Sequence, residues 1–310
     1  MIPAWKMVPP ASSIAARIAL LVLITGALPL MGDDDAIASK SPPDAVKAAV
    51  ADPQEGEPYE ELDNLFRLAQ PYLRNLNPYQ PSYFLFGLPL SDSKFQLSFK
   101  YRFFNPTAPL ARKHPWVGGF HFGYTQTSFW DLGSDSKPFE DTSYKPEFFY
   151  LSRKIPWLSR SHDGFFIQAG VHHESNGQGG DASRSTNNLY FAPVFVFYNP
   201  GSRVGLAVSP KIKYMFDNSA ISNPNLEDYR GIFELSVMVG KAEGAVLNSN
   251  IRTAKAGTSF EANLTYPLSE SWFKSAQIYL HAQYVNALAE NLLDYRERRE
   301  AFRLGISFIR

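Results

Sequence analysis

The sequence predicts an all-β fold, a twelve-stranded antiparallel transmembrane β-barrel that follows a short N-terminal periplasmic segment. From residue 82 onward, large apolar side chains alternate with polar ones with a period of two, as in strands that have one apolar face. Aromatic residues make up 15% of the chain, and membrane barrels need them for their interfacial girdles. Beyond the N-terminus, no run of about twenty apolar residues offers a transmembrane helix.

The first 38 residues are interpreted as a signal peptide. Lys6 and Arg17 supply its positive end, residues 18–31 supply an apolar run, and residues 36–38 (Ala-Ile-Ala) offer a small-x-small cleavage site. A membrane anchor is the alternative interpretation, although the apolar run is short for one.

Residues 39–80 are expected to form an N-terminal linker or periplasmic segment. Its first part is rich in Pro, Ala, Asp and Glu, and residues 59–75 could form one short amphipathic helix. Residues 81–310 form the predicted barrel domain.

Charge and cysteine content exclude several classes of protein. The 30 Lys and Arg balance the 30 Asp and Glu, which argues against a nucleic-acid partner, since such a protein needs a basic surface. The chain has no cysteine, which excludes a disulfide framework and a thiolate metal site.

The alternating segments number about twelve, and most are long enough for a tilted strand across hydrocarbon, which takes roughly 9–11 residues. They lie near 82–88, 94–104, 116–128, 144–153, 163–173, 187–198, 202–216, 230–241, 245–252, 257–267, 276–286 and 301–309. A soluble β-sandwich is the alternative, but its outer face seldom places so many charged residues opposite large aromatics on successive strands.

The connections between these segments alternate in length. If the first strand runs towards the outside of the cell, the long connections are outer loops, and the tight turns at 199–201 and 242–244 face the periplasm. The long gaps are 129–143, 174–186, 217–229 and 287–300. This orientation places the end of the fifth predicted strand near the outer leaflet.

Three polar residues continue apolar strand faces at that end. His173 and Ser175 have the parity of Phe165, Ile167, Ala169 and Val171. Asn187 has the parity of Leu189, Phe191, Phe195 and Phe197 on the next strand. All three are therefore expected on the lipid-facing wall, where an acyl chain could reach them.

Acyl transfer needs a nucleophile, a base and a group that orients the base. His173 and Ser175 are close enough in sequence for an Nε2–Oγ hydrogen bond, and Asn187 can accept a hydrogen bond from the other ring nitrogen. A His-x-Ser pair alone is usually incidental, and the pattern extended through Asn187 favours a catalytic role. The Gly-x-Ser-x-Gly elbow of α/β-hydrolases is absent around Ser175.

These residues carry a specific family resemblance. His173-Glu174-Ser175-Asn176-Gly177, followed by Ser183-Arg184-Ser185-x-Asn187, resembles the active-site signature of the outer membrane phospholipase A family. Further matches to that family are Tyr124-Thr125-Gln126 with Trp130, Pro138-Phe139-x-x-Thr142-x-Tyr144-x-Pro146, Asn223-Pro224 with Tyr229 and Gly231, and Leu293-Asp294-Tyr295. The resemblance runs from about residue 82 to the end, and the family's barrel also has twelve strands. It implies that residues 81–310 are a phospholipase domain.

The resemblance implies roles for the matching residues. Ser175 would be the nucleophile, His173 the base, Asn187 the orienting residue and the Gly177 N–H an oxyanion donor. The family is calcium-dependent, and the implied ligands are the Ser183 hydroxyl, the Gln178 carbonyl and the carbonyl of Ser136 from the neighbouring subunit. Asp217 is a candidate ligand of a second calcium site. The family's usual arginine and tryptophan are replaced here by Gln178 and Thr186.

Gln126 has the parity of Phe120, Phe122 and Tyr124, which places its amide on the lipid face. An unpaired amide in hydrocarbon is costly, so this side chain needs a partner. The hypothesis that the family implies is a Gln126 pair across a two-fold dimer interface; the alternative is a side chain near the headgroups that water satisfies.

Together these features predict a calcium-dependent serine hydrolase of the Gram-negative outer membrane. It would cleave sn-1 and sn-2 acyl esters of phospholipids and lysophospholipids, and dimerisation would activate it. One alternative is a non-catalytic outer-membrane barrel, either a small pore or an inactive relative, which predicts conductance without hydrolysis. Another is an adhesive barrel that binds through its outer loops.

Overall fold

The computed structural model describes residues 75–158, 163–216, 218, 223–268 and 278–310. The predicted signal peptide and residues 39–74 of the expected N-terminal segment lie outside the described residues, and so does Asp217. None of the helices in the described part of the chain is long and apolar enough to cross a membrane.

Thirteen strands dominate the described residues, with two short α-helices, α1 (Pro109–Lys113) and α2 (Leu226–Arg230). The strands are β1 (Leu76–Pro78), β2 (Ser82–Leu88), β3 (Ser93–Arg102), β4 (Phe120–Trp130), β5 (Phe139–Leu151), β6 (Gly164–Ser175), β7 (Ser185–Asn199), β8 (Val204–Phe216), β9 (Phe233–Gly240), β10 (Val246–Ala254), β11 (Gly257–Pro267), β12 (Tyr279–Leu288) and β13 (Arg298–Ile309). Short 3₁₀ turns occupy Leu90–Asp92, Pro115–Gly119, Pro156–Leu158 and Gly180–Ala182.

Strands β2 to β13 form a closed antiparallel barrel, because each pairs with its sequence neighbour and β2 also pairs with β13. Closure leaves no unpaired edge, which a sheet in lipid cannot tolerate. The prediction of a twelve-stranded antiparallel barrel is confirmed.

The short strand β1 is an addition to this plan. It pairs with β3 at Leu76 and Tyr101, on the same side of β3 where β2 pairs at Tyr83 and Gln96. Strands β1 and β2 therefore act as one broken strand, and β1 lies within the segment expected to precede the barrel. Pro81 lies at the break, where its missing N–H cannot join a strand ladder.

The period of two builds the wall as the sequence indicates. On β7, Leu189, Phe191, Phe195 and Phe197 are exposed, whereas Tyr190 and Ala192 between them are buried. Apolar side chains thus face outward and polar or small ones face the lumen, the arrangement of a barrel surrounded by lipid.

Strand β5 begins at Phe139, five residues before the predicted segment. Asp141 and Ser143 are buried on its lumen side, so its first residues lack the apolar alternation that marks a strand in sequence.

The predicted difference in length between the loops at the two ends of the barrel is smaller than expected. Two long connections, β3–β4 and β5–β6, join strand ends on the side of the barrel opposite His173.

The lumen is filled by charged and polar side chains. Arg303 has 0% exposure and donates hydrogen bonds to Gln283 at 2.8 Å and to Glu290 at 2.7 Å. Lys94 adds a 3.2 Å contact to the same carboxylate. Burying such charges costs several kcal/mol per ion unless each has a partner, and this cluster supplies the partners.

A small apolar cluster covers the end of the barrel at which β6 ends and β7 begins, called the site end below. Leu226 on α2 packs with Ala289, Leu292 and Tyr295 of the β12–β13 loop. Asp141 fixes that loop, because one carboxylate oxygen accepts hydrogen bonds from the backbone N–H groups of Leu292 and Leu293, both at 3.1 Å.

Candidate active site

The β6–β7 hairpin brings His173 and Asn187 together. They are direct partners in the antiparallel register, two positions beyond the exposed pair Val171 and Leu189, so all four stand on the outer wall. His173 Nδ1 lies 2.8 Å from Asn187 Oδ1. Because an amide oxygen only accepts, this contact places a proton on Nδ1 and leaves Nε2 free to act as a base.

Ser175 lies at the last position of β6, between Tyr144 of β5 and Ser185 of β7 in the register. Among the described residues its hydroxyl makes no hydrogen bond, so the predicted Nε2–Oγ contact with His173 is not formed. Contacts of this kind are often long before substrate binds, and they tighten in the reacting complex.

The chain turns sharply two residues after Ser175. Gly177 has a φ of +66°, a left-handed conformation that side chains disfavour. A Cβ at this position would lie 2.8 Å from Cε2 of Tyr144. The Tyr144 ring therefore packs against the backbone whose N–H is the predicted oxyanion donor.

Asn176 organises the loop that follows, a role that the sequence analysis missed. Its side chain is buried at 3% exposure, donates to the carbonyl of Ala182 at 2.9 Å and accepts from the N–H of Arg184 at 2.9 Å. It also accepts from the N–H of Gln178 at 3.3 Å. Asn side chains often bond to nearby backbone groups in turns, so an Asn just beyond the end of a strand could have predicted this role.

The predicted calcium ligands lie in two loops of the site end. Gln178 and Ser183 are in the β6–β7 loop, and Ser136 is in the β4–β5 loop. Among the described residues, no side chain or backbone group bonds to the Ser183 hydroxyl or the Gln178 carbonyl. No cluster of three His, Asp or Glu suited to a metal occurs in the described ranges. Hydroxyl and carbonyl oxygens still suit a hard cation completed by waters.

The β4–β5 loop is held by its own side chains. Asp131 accepts hydrogen bonds from the N–H groups of Gly133 at 2.9 Å and Ser134 at 3.1 Å. The Ser134 hydroxyl also donates to this carboxylate, and it is the main reason why the pKa of Asp131 is lowered. Trp130 donates through Nε1 to the carbonyl of Lys137 at 2.9 Å. Ser136 thus stands in an ordered turn.

Gln126 faces outward, as its parity indicates, and has partners on its own face of β4. Its Oε1 accepts from the Tyr124 hydroxyl at 3.2 Å, and its Nε2 donates to Ser128 Oγ at 3.4 Å. Thr142 donates to the same Ser128 oxygen at 3.0 Å. A polar strip therefore crosses this part of the outer wall.

Comparison with known proteins places this geometry in a family. The phospholipase A1 family model matches residues 73–308. A putative phospholipase A1 of Neisseria meningitidis serogroup B is 29% identical over 232 residues, which cover 70% of this chain and 54% of that protein. Phospholipase A1 of Escherichia coli K12 is 28% identical over 193 residues, 59% of this chain and 60% of that protein.

Solved structures share the fold. Outer membrane phospholipase A from Escherichia coli aligns with a TM-score of 0.61 at 22% identity, over 75% of this chain and 97% of that one. The Salmonella typhi outer membrane phospholipase, solved as a dimer with bound calcium, aligns with a TM-score of 0.60 at 23% identity, over 75% of this chain and 91% of that one.

The chain spans between about half and three fifths of the length of these curated relatives. The closed barrel with an apolar outer wall and the relatives of this kind indicate the outer membrane of a Gram-negative cell. Because the family model covers most of the sequence and all but the last residue of the barrel strands, the chain belongs to the phospholipase A1 family.

Proposed function

We propose that this chain is a phospholipase that hydrolyses the sn-1 and sn-2 acyl esters of phospholipids and lysophospholipids at the outer wall of its barrel. The observation that carries the proposal is the 2.8 Å contact between His173 Nδ1 and Asn187 Oδ1, with Ser175 on the same strand face. A base held in one tautomer beside a hydroxyl, on a surface that faces lipid, suits an ester whose acyl chains lie in the membrane.

In the proposed reaction, the Ser175 oxygen attacks the ester carbonyl carbon while Nε2 of His173 takes the hydroxyl proton. The same ring then gives that proton to the leaving alkoxide as the ester C–O bond breaks, which leaves an acyl-serine. Water, activated by His173, releases the fatty acid and regenerates the hydroxyl. Asn187 keeps the ring in the tautomer that both steps require.

The backbone N–H of Gly177 is the proposed donor to the developing oxyanion. One such donor typically contributes about 10²–10³ in rate. The left-handed turn at Gly177 and the Tyr144 ring packed against it support the assignment, because they fix this peptide in place relative to β6.

Calcium is the proposed cofactor, held by the Ser183 hydroxyl, the Gln178 carbonyl and the carbonyl of Ser136 of the partner subunit. Bound there, it would supply Lewis-acid stabilisation of the oxyanion through its waters. The oxygen-only set and the absence of competing bonds at Ser183 and Gln178 within the described residues support this choice. A second site at Asp217 stays a prediction, because that residue lies outside the described part.

A homodimer is the proposed active form. Since one calcium ligand comes from the neighbour, each site is complete only in the dimer, which restrains hydrolysis until phospholipid enters the outer leaflet. The polar strip around Gln126 supports a subunit contact on this wall, because amides in lipid gain from pairing across an interface.

Covalent labelling tests the assignment of the nucleophile. The full chain in detergent with calcium is treated with a sulfonyl fluoride, digested, and mapped by mass spectrometry. We expect a single label on Ser175. Ser185, its register partner on β7, is the internal control. Labelling of Ser185 instead, or no labelling of folded protein, would contradict the proposal.

The pore interpretation finds less support. A passive pore needs an open water path, whereas the lumen holds the Arg303–Glu290–Lys94 cluster and is covered at the site end by Leu226, Leu292 and Tyr295.

A further inference from the structure

The residue between the proposed base and nucleophile points the other way. Glu174 follows His173 and precedes Ser175, so its side chain enters the lumen directly behind them. It is buried at 1% exposure, and its register partner on β7 is Thr186, also buried. A carboxylate in this position demands a cation, because an unpaired buried charge is strongly unfavourable.

Arg230 supplies that cation from a different part of the chain. It is the last residue of α2, and its guanidinium forms an ion pair with one Glu174 oxygen. Lys145 of β5 lies 4.0 Å from the other oxygen. Within the described residues that second oxygen accepts no hydrogen bond, so Arg230 makes the principal contact.

Contacts of α2 with neighbouring loops fix the backbone that carries Arg230. The carbonyl of Asp228 accepts from the N–H of Ala256 at 2.7 Å, which ties α2 to the β10–β11 turn. Gly231 ends the helix at a φ of +72°, and a Cβ there would overlap the carbonyl oxygen of Thr253. Arg230 Nη1 also donates to the carbonyl of Ala289 at 3.2 Å. The backbone that carries Arg230 is therefore fixed, and the carbonyl of Ala289 holds the guanidinium beside the carboxylate.

Two further bonds join the β8–β9 loop to the other strand of the hairpin. Asn223, at 3% exposure, donates to the carbonyl of Ser185. Asn218 accepts from the backbone N–H of Asn187 at 3.3 Å. The loop thus contacts the end of β6 and the beginning of β7, at or close to His173, Ser175 and Asn187.

We propose that Arg230 is a positioning residue for hydrolysis. By pairing with Glu174 in the lumen, it fixes the end of β6 and so sets where His173 and Ser175 stand on the outer wall. Ser175 is the last strand residue before a glycine-containing loop. No hydrogen bond joins the side chains of His173 and Ser175, so the distance between them depends on the backbone at the end of β6. The inference rests on the proposed function.

The test compares kinetics per active serine. Wild type and the variants Arg230→Met, Arg230→Lys and Glu174→Gln are refolded in detergent with calcium. Folded protein is selected by its heat-modifiable gel mobility, and sulfonyl fluoride labelling counts the reactive sites. Fatty-acid release from phosphatidylcholine mixed micelles gives kcat and KM, and the labelling rate gives the reactivity of the serine without lipid.

We expect Arg230→Met and Glu174→Gln to lower kcat and the labelling rate by about 10–100-fold, with KM within about twofold, because a displacement near 1 Å can cost about 100-fold. Arg230→Lys, which keeps the charge, should recover part of the loss. Glu234→Gln is the matched control, since Glu234 is another lumen carboxylate, paired with Lys213 at 2.6 Å and Lys211 at 3.8 Å of β8. It should change kcat by less than about twofold.

Three outcomes overturn the inference: an unchanged kcat in Arg230→Met, no recovery in Arg230→Lys, or an equal loss in Glu234→Gln, which would indicate a general effect of lumen charge. If Arg230→Met fails to fold, the Glu174→Gln and Arg230→Lys results decide. Wild type that releases no fatty acid would instead contradict the proposed function, so the two failures are distinguishable.

Discussion

The imidazole of His173 and the side-chain amide of Asn187 are joined by a 2.8 Å Nδ1–Oδ1 contact between direct register partners on the outer wall. The partnership is fixed by backbone pairing of β6 and β7, so it depends little on side-chain flexibility. A neutral orienting residue sets the tautomer without adding charge to a surface that faces lipid.

Removal of the Asn187 side chain should therefore lower kcat and leave the fold intact. A neutral hydrogen bond contributes about 1 kcal/mol, so Asn187→Ala should reduce kcat by roughly fivefold. Asn187→Asp keeps an acceptor and should retain more activity than the alanine variant. Fatty-acid release in mixed micelles measures both. Equal activity of Asn187→Ala and wild type would remove Asn187 from the mechanism.

Two glycines of the site end should respond differently to alanine. Gly177→Ala introduces a Cβ at a left-handed φ, 2.8 Å from the Tyr144 ring, and should displace the proposed oxyanion donor. Loss of that donor predicts about a 10²–10³-fold fall in kcat. Gly179 has a φ of −107°, and an added Cβ there would meet nothing within 4 Å, so Gly179→Ala should be nearly silent. Equal kinetics for the two variants would count against the Gly177 assignment.

The outer-wall position of Gln126 predicts its effect on assembly. Gln126→Ala should weaken dimers promoted by calcium and substrate, measured by crosslinking in detergent, because it removes the side-chain amide of the strip. Leu264→Ala, which truncates an exposed apolar residue of β11, is the control and should dimerise like wild type. A strictly monomeric protein with full activity would refute the dimer proposal.

Acid should destabilise the barrel through Glu290 in the β12–β13 loop. Burial by itself would raise the pKa of Glu290, but the adjacent Lys94 and Arg303 outweigh it and lower that pKa to about 2. An unfolded Glu titrates near pH 4.3, so the ionised carboxylate contributes stability above that pH. This contribution, on the order of 3 kcal/mol, should be lost as pH falls from about 4 to 2.

Unfolding in urea between pH 2 and 6, followed by tryptophan fluorescence, measures this effect. Glu290→Gln should be less stable than wild type at pH 6 and should lose less stability on acidification. Parallel pH curves for the two proteins would show that Glu290 does not titrate in this range.

The sequence predicts the barrel wall well, because the alternation on strands such as β7 is imposed by lipid outside and a crowded lumen inside. It predicts the start of β5 poorly. Thr142 is polar and faces outward in the strip near Gln126, while Asp141 and Ser143 are polar and face inward, so no contrast between the faces remains. Strand β1 is too short to show a period at all.

The hairpin site follows from parity and spacing, since His173, Ser175 and Asn187 lie on neighbouring strands. The Arg230–Glu174 pair could not be predicted in the same way. Its members are 56 residues apart and meet only because α2 folds over the site end. Such a contact leaves no local pattern in the sequence.

The central claim is that Ser175 is the nucleophile of a lipid-cleaving site on the barrel wall. It is tested most directly by fatty-acid release from phosphatidylcholine mixed micelles, comparing wild type, Ser175→Ala and Ser185→Ala with calcium or with a chelator. We expect release by wild type and Ser185→Ala with calcium, little release in chelator, and at least a 10³-fold lower rate for Ser175→Ala, about the loss seen when a nucleophile is removed. Equal release by Ser175→Ala and wild type would contradict the account.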